Sequence, residues 1–133
     1  MGVPHAWQFD WCHETTLSPD QLSAGRARAF VVHHLVAHRR LSLVDPVRLV
    51  ASELATNAVT HAQTAFTVTL SELDHVVTLS VEDELPSEEP NLGAIGVLDE
   101  HGRGLMIVDL ISQSWGVSTD HRGAKQVRAS FVR

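Results

Sequence analysis

Glu53 and Asn57 are the residues of this sequence whose types and spacing most suggest chemistry. They stand four positions apart in a segment with helical periodicity, so both side chains would lie on one flank, with His61 one turn further on. A carboxylate can accept a proton from a hydroxyl or water that attacks a phosphate. An amide oxygen suits Mg²⁺, which keeps most of its waters and adds phosphate oxygens. The pair is either the phosphate end of a site or the polar border of a packing face.

Two further places carry polar groups that would complete such a site. Asp83 ends a predicted strand, where its carboxylate can accept a hydrogen bond from an exocyclic amine such as that of adenine. An aspartate that only ends a strand in a turn is the competing interpretation.

Gly102, Arg103 and Gly104 precede Leu105 at the start of an apolar helix. Glycines and free amide groups at a helix start allow a phosphate to approach the backbone, and Arg103 could add a contact.

The helix that carries Glu53 has a recognisable beginning and a buried face. Asp45 can cap its amino terminus, and Pro46 suits the first helical position. Its predicted stripe consists of small or branched apolar side chains: Val47, Val50, Leu54 and Ala58. An earlier helix is predicted from about residue 20 to the basic pair at residues 39 and 40.

The remaining elements follow mainly from alternating apolar and polar residues. A short strand is expected around residues 7–11, a hairpin over residues 66–71 and 77–82, and two strands over 115–119 and 127–131. Asp74 and His75 would form the hairpin turn. Residues 84–102 are polar and acidic, which predicts a functional loop or lid, and a short apolar helix follows from 105 to 111. The whole is typical of a single α+β domain over residues 1–133, a two-layer sandwich with helices on one face of a mostly antiparallel sheet.

Composition excludes several classes of function. The net charge is −6 and the ten lysines and arginines are scattered, which argues against direct nucleic-acid binding. Cys12 is the single cysteine, so no intramolecular disulfide is possible, and no apolar run approaches a membrane span. A soluble cytoplasmic protein is expected. His34 and His38 have the i, i+4 spacing of a metal site, but no carboxylate or cysteine is near them in sequence, which favours a solvated helix face.

Three motifs in order carry a family resemblance. They are the Glu-x-x-x-Asn helix, the strand ending Val81-Glu82-Asp83, and the run Gly-Arg-Gly-Leu-Met-Ile-Val, with Trp115-Gly116 downstream. Together they resemble the GHKL ATPase/kinase superfamily (the Bergerat fold). Within it, the chain is similar to the anti-sigma-factor serine/threonine kinases with a histidine-kinase-like ATP-binding domain. The similarity runs from about residue 17 to the end.

The resemblance implies a role for each matching residue. Glu53 would be the catalytic base and Asn57 the Mg²⁺ ligand, while Asp83 would read the adenine of ATP. His61 would line the phosphate end or simply be a polar residue at the helix end. The phosphate-covering lid would comprise Gly102, Arg103, Gly104 and Leu105. Members of this group phosphorylate a serine or threonine of a small antagonist protein and hold a sigma factor inactive by binding it. They commonly form homodimers.

The chain departs from the family pattern at two positions that would contact the base. Leu85 stands where the family usually has a glycine, and Gln126 stands in the segment that usually carries a threonine or serine near the adenine. Three hypotheses follow. The first is an ATP-dependent protein kinase that is also an anti-sigma factor. The second is a non-catalytic member of the fold that acts by protein–protein binding alone. The third is ATP hydrolysis with a conformational output.

Overall fold

In the part of the chain that the computed structural model describes, a five-stranded sheet is accompanied by three α-helices. The structure describes residues 9–62, 64–83, 102–119 and 123–132. The strands are β1 (Trp11–Leu17), β2 (Phe66–Leu73), β3 (Val76–Asp83), β4 (Ser114–Thr119) and β5 (Lys125–Val132). The helices are α1 (Ser23–Ala37), α2 (Val44–Asn57) and α3 (Gly102–Ile111).

The sheet has the order β1-β2-β3-β5-β4, and every neighbouring pair is antiparallel. α1 contacts β1 and β2, α2 contacts β3 and β5, and α3 contacts β4. The helices therefore lie side by side on one sheet face, with α2 in the middle. This confirms the predicted α+β two-layer sandwich. No helix in the described ranges is long and apolar enough to cross a membrane.

Strand alternation builds the core. Inward side chains of β2, β3 and β5 pack against the helices and are buried: Phe66, Val68, Leu70, Val77, Leu79, Val81, Ala129 and Phe131. The predicted hairpin is confirmed, because β2 and β3 pair along their full length. Its turn residues Asp74 (φ 51°) and His75 (φ 69°) are both left-handed, the geometry of a type I′ turn, whose twist matches the flanking strands.

The end of α1 is fixed by a Schellman motif. Arg39 is left-handed (φ 60°), its amide donates to the carbonyl of Val36 at 3.0 Å, and the Arg40 amide donates to that of Leu35 at 2.7 Å. This turn directs Arg40 towards β2. There its guanidinium donates two hydrogen bonds, at 2.6 and 3.0 Å, to the buried carboxylate of Glu72.

The predicted beginning of α2 is wrong in one respect. A 3₁₀ turn at Leu41–Leu43 runs directly into the helix, so Leu43 is the residue before its first turn and no side chain caps it. Asp45 lies inside the first turn and accepts a hydrogen bond from Arg48 at 3.2 Å. Pro46 is compatible with this position because the first amides of a helix have no partner within it. The predicted stripe is confirmed for Val47, Val50 and Leu54.

Two other boundaries differ from expectation. β1 begins at Trp11, and its alternation continues through the threonines to Leu17, later than the predicted strand around residues 7–11. α3 begins at Gly102, three residues before the predicted start. The expected loop falls largely on residues 84–101, which lie outside the described ranges together with Trp7.

Candidate functional site at the boundary between α2 and α3

Glu53 and Asn57 lie on the flank of α2 that faces α3. At about 100° per residue, Ser52 and Glu53 leave the buried stripe on opposite sides. The Ser52 side is next to α1, because Arg28 of α1 donates a hydrogen bond to the Ser52 hydroxyl at 2.9 Å. Since α3 contacts α2 from the other side, Glu53 and Asn57 lie along the boundary between α2 and α3. Both are half-buried, so each has a packed stem and an accessible polar end.

The helix changes form just beyond this pair. The five residues Ala58–Ala62 form a π-helical turn that contacts β3. A π turn holds about one residue more than an α turn, and such turns occur frequently at functional sites. His61 is half-buried in this turn. Because the π turn has more residues than an α turn, the His61 side chain is rotated about the helix axis away from the row formed by Glu53 and Asn57. The sequence predicted a continuous α-helix here.

Asp83 lies at the same end of the sheet as the carboxyl end of α2. The short connection after the π turn leads into β2 at Phe66, and Phe66 is paired with Asp83, the last residue of β3. Asp83 follows Val81 by two residues, so its side chain projects to the helix side of the sheet. The structure therefore brings Asp83 and the Glu53–Asn57 flank to one end of the molecule.

Lys125 holds Asp83 in place and is the residue that sequence reasoning missed. Its backbone amide donates a hydrogen bond to Oδ1 of Asp83 at 3.0 Å. Lys125 is two residues before Val127, so its side chain also projects to the helix side. Partial burial lowers the pKa of Lys125, while the nearby Asp83 carboxylate acts in the opposite direction. Strand alternation alone, extended back from Val127, could have identified it.

Gln126 does not join this group. It is paired with Glu82 and projects to the open face of the sheet, away from the helices. There it lines a groove of about 620 Å³ with hydroxyl side chains that include Thr78 and Ser80. The physical reason is the two-residue period of the strand, which sends Gln126 and Lys125 to opposite faces. The residue on the helix side of this segment is therefore Lys125.

α3 begins at the same end of the sheet. Its carboxyl end is fixed at the far end of β5, where the Gln113 amide donates to the carbonyl of Ser130 at 2.7 Å. Trp115 of β4 donates a further hydrogen bond to Asp109 of α3 at 2.8 Å. The amino terminus of α3, at Gly102, therefore points towards the end that carries Asp83. The side chains of residues 102–105, Arg103 and Leu105 among them, and the whole of Leu85 lie outside the described residues.

A comparison with protein families decides the assignment. The model of the histidine kinase-like ATPase domain matches residues 15–131. The chain belongs to this family. It is thus a member of the GHKL superfamily, whose domain implies ATP binding, commonly with Mg²⁺. No curated protein matches the sequence.

The residues of this histidine kinase-like domain fit the groups that the family implies. Asn57 offers a neutral oxygen suited to Mg²⁺, which phosphate oxygens would share, and Glu53 offers beside it a carboxylate that can accept a proton. The amino terminus of α3 offers amide hydrogens to an anion. Asp83 offers an anchored acceptor at the same end of the sheet. The carboxylate of Asp83, the Glu53–Asn57 flank and the amino terminus of α3 thus lie at one end of the molecule.

Histidines of β1 and α1 form a packed cluster. His13 of β1 stacks on His34 with ring centroids 3.8 Å apart, and its Nε2 lies 2.8 Å from Nε2 of His38. Trp11 stacks on His38 at 4.0 Å. Within the described part of the chain, no three histidine, cysteine, aspartate or glutamate side chains are arranged to hold a metal ion. His34 and His38 are half-buried, so the expected solvated helix face is wrong.

Proposed function

We propose that this protein is an ATP-dependent serine/threonine protein kinase that also acts as an anti-sigma factor. The observation that supports it most is the placement of Glu53 and Asn57 on the α3 side of α2, at the end of the sheet where Lys125 anchors Asp83. Family membership supports the ATP-binding part of the proposal. The kinase reaction and the partners, a sigma factor and an antagonist protein, rest on the resemblance of the motifs.

The proposed reaction is in-line transfer of the terminal phosphate to a hydroxyl of the antagonist. Glu53 accepts the hydroxyl proton as the new P–O bond forms and the bond to the β-phosphate oxygen breaks, which releases ADP. Asn57 contributes its amide oxygen to hold Mg²⁺, which when bound neutralises charge on the phosphates. Asp83 accepts a hydrogen bond from the adenine amine. The amides at the start of α3 donate hydrogen bonds to phosphate oxygens and hold the terminal phosphate in line with the attacking hydroxyl.

Replacing Glu53 with glutamine separates binding from transfer. The change removes the proton acceptor but keeps the size and hydrogen-bonding capacity of the side chain, so ATP binding should remain within about threefold while transfer falls by at least 100-fold. Binding is measured by titration calorimetry with ATP and Mg²⁺. Transfer is measured with γ-³²P-labelled ATP and the protein fraction that the immobilised protein retains from its native cell extract.

Thr56→Ala is the matched control, because Thr56 is exposed on the same helix and lies beside Gln21 and Ala24, away from α3. It should leave both binding and transfer unchanged. Transfer by Glu53→Gln at the parental rate would show that Glu53 is not the base. ATP binding without any phosphorylated protein would favour the non-catalytic alternative. If the retained fraction contains no sigma factor, the anti-sigma part of the proposal is wrong.

A further inference from the structure

Lys125 is a cation placed at the base end of the proposed ATP site. Its side chain lies on the helix side of the sheet, half-buried, in the electrostatic field of Asp83. Its amide donates a hydrogen bond to one carboxylate oxygen of Asp83 at 3.0 Å, so the two residues form a corner where β5 begins beside the end of β3. Partial burial of an ammonium group is unfavourable unless acceptors face it. The corner therefore suits a ligand that brings a further acceptor.

The Watson–Crick edge of adenine has the complementary pattern. Its exocyclic amine is a donor, and the neighbouring ring nitrogen N1 is an acceptor. A carboxylate such as that of Asp83 can satisfy the amine but is repelled by the N1 lone pair. A lysine ammonium carries three donors and no acceptor. It can therefore donate a hydrogen bond to N1, and it cannot accept one from the adenine amine. An acceptor and a donor side by side match both positions of the edge.

We propose that Lys125 is a specificity-determining residue that donates a hydrogen bond to N1 of adenine beside the amine read by Asp83. The inference rests on the proposed ATP binding and deepens it. The base would be read by two protein groups of opposite charge, without a neutral hydroxyl side chain. Guanine presents its O6 acceptor where adenine has its amine, so it would place that oxygen against the Asp83 carboxylate. The pair therefore favours adenine.

The contribution of the Lys125 side chain can be separated from that of its backbone. Lys125→Met keeps the length and apolar stem of the side chain and removes only the ammonium. The bond that anchors Asp83 comes from the main-chain amide, so it remains in the variant. Arg128→Met is the matched control, since it removes a cation from the same strand on the exposed, opposite face.

The test is titration calorimetry of the full chain with ATP, 1-deaza-ATP and GTP, each with Mg²⁺. In 1-deaza-ATP a C–H group replaces N1 while the amine remains. The unmodified protein should bind ATP roughly 10- to 100-fold more tightly than 1-deaza-ATP, the range expected for a hydrogen bond from a charged donor. In Lys125→Met, the affinity for ATP should decrease by a similar factor, and the ratio of the affinities for ATP and 1-deaza-ATP should approach one. Arg128→Met should keep the ratio of the unmodified protein.

Each other outcome contradicts the inference in a recognisable way. Equal binding of ATP and 1-deaza-ATP by the unmodified protein overturns the contact with N1 and leaves the proposed function intact. Tighter ATP binding by Lys125→Met shows that Lys125 obstructs the base, which also overturns it. GTP binding as tight as ATP binding overturns the adenine preference. Absence of binding of every nucleotide at millimolar concentration overturns the proposed function itself, and the inference with it.

Discussion

Removal of the Arg40 guanidinium should destabilise the protein more than removal of any exposed ion pair. Glu72 has only 1% of its side-chain surface exposed, and Arg40 has 21%. The guanidinium binds both carboxylate oxygens of Glu72, at 2.6 and 3.0 Å. Arg40→Met therefore removes the cation that donates to both oxygens of this buried carboxylate.

The magnitude follows from this burial. Removing one partner of a buried ion pair costs about 3–5 kcal/mol, because the remaining charge stays away from water. Arg40 is partly exposed, so we expect the lower limit, about 3 kcal/mol, which corresponds to a decrease of about 10 °C in Tm for a domain of this size. Replacing both residues with methionine should cost less than Arg40→Met alone, since no charge is then left uncompensated.

Urea unfolding followed by tryptophan fluorescence measures these differences. Arg48→Met is the control, because Arg48 pairs with Asp45 at 3.2 Å on the surface, with side chains 50% and 86% exposed. It should change the free energy of unfolding by less than about 0.5 kcal/mol. If Arg40→Met costs no more than Arg48→Met, the assignment of Arg40–Glu72 as a stabilising buried pair is refuted.

Two further predictions concern stability. Arg39→Gly should raise the free energy of unfolding by about 0.5–1 kcal/mol, because Arg39 is left-handed at the end of α1, where glycine has no steric cost; denaturant titration that shows a loss instead would contradict this. Burial lowers the pKa of His34, and the neighbouring histidines lower it further. Burial is also the main cause that lowers the pKa of His38. His13 and Arg40 lower the pKa of His38 further, whereas the Glu72 carboxylate raises it. At these two histidines the folded state therefore binds fewer protons than the unfolded state. Their contribution to stability is fully present above pH 6.5 and is lost as the pH falls through and below that value. The free energy of unfolding, measured at a series of pH values, should decrease less steeply on acidification in the variant that carries both His34→Gln and His38→Gln than in the unmodified protein. An equal slope in the two proteins would refute the assignment of this decrease to the two histidines.

The sequence alone predicts the parts of the fold that depend on local periodicity. The hairpin of β2 and β3 follows from alternation, and its turn falls on Asp74 and His75 as expected. The stripe of α2 follows from helical spacing, so the flank that carries Glu53 and Asn57 was also predictable. These features need only the two periods of regular structure.

The remaining differences depend on contacts between elements distant in sequence or on chain geometry. Asp45 satisfies the chemistry of a cap, but a preceding 3₁₀ turn starts the helix earlier. The histidine cluster needs β1 to lie beside α1, which no local pattern reveals. Lys125 is a different case. Its side chain shares a sheet face with that of Val127, and the side chain of Gln126 lies on the other face, which follows from strand alternation alone. Matching a family motif by sequence position placed Gln126 at the base, whereas the direction of the side chain favours Lys125.

Titration calorimetry of the unmodified protein with ATP and Mg²⁺ tests the central claim most directly. The claim is that a nucleotide binds along the boundary between α2 and α3, with its base at Asp83 and its phosphates at Glu53 and Asn57. It predicts a saturable binding heat for one nucleotide per chain, with Kd in the micromolar range. No binding heat at millimolar ATP and Mg²⁺ would contradict it.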